Sequence, residues 1–92
     1  MKKYKKNNLL VSDFIKFIEF NKRYSSHTIR AYKKDLGDFV DYLEDSRLIL
    51  EINKYDLHEF ISKESLSISS RTLARKVATI KSFYKFLINN EY

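Results

Sequence analysis

Across 92 residues this chain has no proline and a single glycine, Gly37. β-Sandwiches and small barrels reverse direction every few residues, and their tight turns draw on the two residue types that are nearly missing here. Helices need neither in their interiors, where both are costly. An all-α fold is therefore expected. The length suits one small domain and leaves no room for a second.

Hydrophobic residues make up 43% of the chain, enough for a core beside 33% charged residues. The chain has no cysteine, so disulfides and cysteine-type zinc sites are excluded. His27 and His58 are too far apart in sequence to suggest a metal pair, so neither a metal nor another cofactor is expected. Met1 to Lys6 looks like the basic start of a signal peptide, but Asp13, Lys16 and Glu19 interrupt the apolar stretch that follows. Neither a signal core nor a membrane span results, and a cytoplasmic chain without a membrane partner is expected.

Four helices can be placed by apolar periodicity and capping residues. Residues 1–9 are expected to form a basic, flexible tail, and residues 10–92 the folded domain. The first helix is predicted over about Asp13–Arg23, with Ser12 as cap. Its inward stripe is Val11, Phe14, Ile15 and Ile18, with Phe17 alongside. The second is predicted over about His27–Asp45, on the arc Ile29, Tyr32, Leu36, Phe39 and Leu43, with Ser25 or Ser26 as cap. Leu48 to Ile52 is predicted as an extended link tucked into the core. Asn53 caps a third helix, about Lys54–Glu64, that faces inward with Leu57, Phe60 and Ile61. The last runs over about Arg71–Asn89 with Leu73, Val77, Ile80, Tyr84 and Leu87 on one arc. Phe20 and Phe86 fall off these arcs, which leaves them for neighbouring helices or another subunit.

Charge is sorted along the chain. Residues 1–34 carry a net +8, residues 35–64 a net −6 and residues 65–92 a net +4. With a total of +6, the chain is expected to present a positive and a negative side. The outer face of the second helix starts cationic, with His27, Arg30 and Lys34, and becomes anionic at Asp38 and Asp41. Cations early in a helix oppose its macrodipole, which suggests another use for them. Gly37 lies on this outer side, where close packing or contact could require it. Opposite the apolar arc of the last helix lie Arg71, Arg75, Ala78, Thr79, Ser82 and Lys85. Arg and Lys reach phosphates and base edges, and small residues allow close approach. Between Arg71 and Lys85 there are five bases and no acid to pair with them along the helix.

Two stretches carry a family resemblance. One runs from Ser26 through Thr28, Tyr32 and Asp35-Leu36 to Phe39 and Tyr42-Leu43. The other runs from Ser70-Arg71 through Arg75-Lys76 and Lys81 to Phe83-Tyr84 and Leu87, and Asp56-Leu57 with Phe60-Ile61 falls between them. From about Leu10 to Tyr92 this ordered set resembles the N-terminal core-binding (SAM-like) domain of tyrosine recombinases of the Xer and phage-integrase type. The resemblance implies a four- or five-helix SAM-like bundle forming half of a clamp around double-stranded DNA, with the second and fourth helices against the duplex. Carried over by position, the DNA-binding residues are Ser26, His27, Arg30 and Lys34 on one helix and Ser70, Arg71, Arg75, Thr79 and Ser82 on the other, joined by Lys76 and Lys85. It also implies contact with other recombinase subunits in a tetrameric synapse, where Phe17 or Phe20 could serve.

In that family a tyrosine in a following domain cuts DNA, assisted by arginines, a lysine and histidines. None of the seven tyrosines here has such a set beside it in the sequence. No catalytic residue is therefore expected, and this chain is expected not to be an enzyme by itself. With about five phosphates neutralised, log affinity for duplex DNA would fall against log salt with a slope of roughly −4 to −5. A basic protein–protein module, or a truncated recombinase acting as an antagonist, are the alternatives.

Overall fold

A serine–threonine pair starts each of the two helices that matter most. Ser25 Oγ accepts the Thr28 amide, and Ser69 Oγ accepts the Thr72 amide, both at 3.2 Å. Each serine hydroxyl also lies within 3.2 Å of the threonine hydroxyl. The same short motif thus satisfies one of the free donors at each helix start.

The computed structural model describes the backbone of residues 3–43 and 47–92, and side chains from Lys6 onward outside that gap. The chain folds as α1 (Lys3–Phe20), α2 (Ser26–Leu43), a 3-10 turn (Ile49–Glu51), α3 (Lys54–Glu64) and α4 (Ser70–Asn89). No strand occurs among the described residues, and the architecture is the expected all-α bundle. The last residues predicted for the second helix, to Asp45, lie outside the described residues. Asn53 caps α3 in a reciprocal box with Asp56, as its position suggested.

Both ends of α1 and the form of the link differ from expectation: α1 ends at Phe20 rather than at about Arg23, whose φ of 55° is not helical. Helix α1 starts ten residues before the predicted Asp13 and runs through Ser12, which caps nothing. The helix takes in most of the segment assigned to the tail, and the reason is Asn7, which is fully buried. Its amide nitrogen donates to the Arg47 carbonyl, and its Oδ1 accepts the Ile49 amide, both at 2.8 Å. These bonds anchor the link, whose Ile49 is fully buried and whose Ile49 carbonyl also accepts the Tyr84 hydroxyl at 2.8 Å. The link is accordingly a 3-10 turn rather than an extended segment.

The core joins Leu10, Phe14, Ile15 and Ile18 of α1 to Leu36, Phe39 and Leu43 of α2, Phe60 of α3, and Ile80, Phe83, Phe86 and Leu87 of α4. Phe86 belongs to it, tilted against Phe14 and Phe17 at 5.3 and 5.0 Å between ring centres. Phe20 remains 71% exposed. In α4 the buried side chains are Lys76, Thr79, Ile80, Phe83, Phe86 and Leu87. Their centre is rotated by roughly 80° from the predicted arc, at 3.6 residues per turn. Phe83 and Phe86 turn the helix that way, and the predicted Leu73, Val77 and Tyr84 end half-buried.

Gly37 is exposed, and a Cβ added there meets nothing within 4 Å. Within this fold its conformational freedom serves no contact. Gly37→Ala is expected to raise unfolding free energy by about 1 kcal/mol. Urea denaturation checks this, and an unchanged midpoint would show that the exposed glycine does not limit α2.

Candidate nucleic-acid interface

α2 and α4 meet around one carboxylate. Asp35 has no exposed surface, lying at the edge of the apolar arc of α2 beside Leu36 and Phe39. Arg75 of α4 reaches it side-on, with Nε 3.0 Å from one carboxylate oxygen and Nη2 2.6 Å from the other. The Thr79 hydroxyl, one turn along α4, donates to the same carboxylate at 2.9 Å. Asp35 is thus satisfied on both oxygens, as a buried charge must be. The hydrogen bonds that Arg75 donates to Asp35 are the main reason its guanidinium is held above its ordinary pKa, against the opposing effect of burial.

Lys76, the next residue, points into the protein and is only 4% exposed. Its ammonium sits between Asp38 of α2 and Glu64 of α3, 2.6 Å from the latter. Asp38 also accepts Lys34 one turn back on α2, at 3.0 Å. Burial pushes the Asp38 carboxyl up, but the hydrogen bonds from Lys76 and Lys34 outweigh it and hold the group below its ordinary range. Burial likewise lowers Lys76, and its two acids more than reverse the effect.

The absence of acids from α4 therefore has two meanings. Arg75 and Lys76 find theirs on α2 and α3, and the acidic later half of α2 serves as their partner. The placement expected for Lys76 and Thr79 as surface contacts is corrected: both are buried, because the inward face of α4 is rotated toward them. Arg30, Arg71 and Lys85 are exposed and have no carboxylate within ion-pair distance among the described residues. Ser26, His27, Ser70 and Ser82 are also exposed.

Two shallow clefts flank the α2–α4 contact. One, of about 550 Å³, collects Lys34, Asp38 and Asp41 from α2 with Thr72, Arg75 and Lys76 from α4. The other, of about 500 Å³, places Ser82 and Lys85 near Tyr24, Tyr32 and Lys22. Lys34 and Arg75 are thus brought together across the two helices, and Arg30 lies one turn from Lys34 on the same face of α2. Asp35 is the residue that charge counting overlooked. Its signal was positional: a carboxylate at the edge of an apolar stripe, in a fold whose most basic helix has no acid of its own. No group of three or more potential metal ligands occurs among the described residues. No described helix is long and apolar enough to cross a membrane.

The phage integrase N-terminal SAM-like domain family matches residues 11–91. Over 87 residues the chain is 32% identical to the tyrosine recombinase XerC of Anoxybacillus flavithermus, an alignment covering 91% of this chain and 29% of that protein. It is 34% identical over 88 residues to the tyrosine recombinase XerD of Staphylococcus epidermidis, covering 92% of this chain and 30% of the other. With the XerD of Listeria innocua it shares 33% identity over 89 residues, covering 90% and 29%. The chain thus spans 29–30% of the length of these relatives. No solved structure matches it.

Proposed function

Because this chain belongs to the phage integrase N-terminal SAM-like domain family, we propose that it is the DNA-holding, non-catalytic module of a Xer-type tyrosine recombinase. It grips duplex DNA with the surface that α2 and α4 share. The observation that carries this reading is the exposure of Arg30, Arg71 and Lys85 with no ion-pair partner among the described residues, together with the fixed guanidinium of Arg75. Such groups bind phosphates, which position a protein on the duplex more than they read its sequence. Strand cleavage belongs to another part of the recombinase. The exposed ring of Phe20 is available for contact with a neighbouring subunit.

The pairing of Lys34, Arg75 and Lys76 lowers the number of cations free to displace counterions. With about three phosphates neutralised, by Arg30, Arg71 and Lys85, the slope of log affinity against log salt is expected near −3. This is shallower than the five bases of α4 alone suggest. Fluorescence anisotropy with a labelled duplex between low and moderate salt measures it, with heparin as competitor. A flat salt response, or indifference between duplex and heparin at equal charge, would favour a basic protein–protein module instead.

A further inference from the structure

From the geometry around Asp35 we infer that this buried carboxylate is a positioning residue for DNA binding: it fixes the Arg75 guanidinium so that its remaining donors face the duplex. The inference rests on the reading of this surface as a DNA contact. Side-on pairing uses Nε and Nη2 of Arg75. It leaves both N–H groups of Nη1 without a partner among the described residues, on a side chain that is 43% exposed. The carboxylate cannot swing, because Asp35 is fully buried and also accepts the Thr79 hydroxyl. A guanidinium clamped along one edge presents the other at a fixed angle, and a planar fork so held loses little freedom on binding phosphate or a guanine edge.

The pair is electrically neutral, so Arg75 acts through directed hydrogen bonds rather than through net charge. This gives a test in which positioning and simple electrostatics have opposite signs. Asp35→Asn removes a negative charge near the duplex, and bulk electrostatics alone would tighten binding. Positioning requires the reverse, because the freed guanidinium becomes mobile. Asp41→Asn is the matched control: it makes the same charge change on α2, at an exposed residue with no ion-pair partner among the described residues.

The experiment is a duplex titration of the 92-residue chain at fixed low salt, with folding of each variant checked by circular dichroism. Asp35→Asn is expected to weaken binding about tenfold, while Asp41→Asn binds as well as the parent or better. A folded Asp35→Asn that matches Asp41→Asn would overturn the inference. Should Asp35→Asn fail to fold, Arg75→Lys decides. It keeps the charge but has no planar fork, and it is expected to lose about tenfold with an unchanged salt slope. A lysine that binds like the parent arginine would overturn the inference while leaving the DNA reading intact. Absence of duplex binding by the parent chain would remove that reading, and the inference with it.

Discussion

Replacing Arg30 and Arg71 together with glutamate is expected to lower duplex affinity about 100-fold at moderate salt, or about 2.8 kcal/mol, without loss of folded structure. Both side chains are exposed and unpaired among the described residues, so reversal breaks no internal bond. Arg71 is the second residue of α4, and Arg30 lies in the second turn of α2. Glutamate in place of Arg71, in the first turn of α4, interacts favourably with the macrodipole by about 0.5 kcal/mol. In place of Arg30, beyond the first turn of α2, that interaction is close to neutral. The thermal midpoint should therefore hold or rise while binding is lost. That combination separates this surface from a structural one, because damage to the fold would lower both. Anisotropy and a thermal melt on the same sample make the comparison. Retained affinity in a folded double variant would place the DNA surface elsewhere. Arg75 is unsuitable for such a reversal, since a glutamate there would face the buried Asp35 and unfold the α2–α4 contact.

The contrast between Arg71 and Arg75 marks where the sequence was legible and where it was not. Helix identity was legible because periodicity and capping are local properties. Asn53 marked the start of α3, and the apolar arc of α2 predicted its buried Ile29, Leu36, Phe39 and Leu43. Rotation of α4 was not legible. It carries two overlapping apolar stripes, one through Leu73, Val77 and Tyr84, the other through Ile80, Phe83 and Phe86. Which one turns inward depends on packing against three other helices. The fate of each cation hangs on that rotation, and so does its partner, since Asp35 precedes Arg75 by 40 residues. Asn7 escaped notice for the same reason: a lone amide in a basic segment gives no local hint of a link 40 residues away.

Lys76 tests this distinction most directly. Lys76→Met keeps the length and apolar stem of the side chain but leaves Glu64 facing Asp38 with no cation of its own, and Asp38 with Lys34 alone. The expected cost is about 2–3 kcal/mol, below the value for a fully buried pair because both acids retain some contact with water. Duplex affinity, measured where the variant is still folded, should change by no more than about threefold. Adding Asp38→Asn and Glu64→Gln should recover more than half of the lost stability, because neutral partners no longer repel. The loss also carries a pH signature. Asp38 is held below its ordinary pKa of 3.8 in the folded chain, so its contribution is present above that value and fades as pH falls through the folded one. Lys76 is held above its ordinary 10.5, so its contribution is present below that value and fades as pH rises through the folded one. The difference between parent and variant should accordingly be flat between about pH 5 and 9 and shrink on either side. Urea titrations across pH measure it. Lost affinity with full stability would instead make Lys76 a DNA contact, and the ion cluster joining α2, α3 and α4 would then have no structural role.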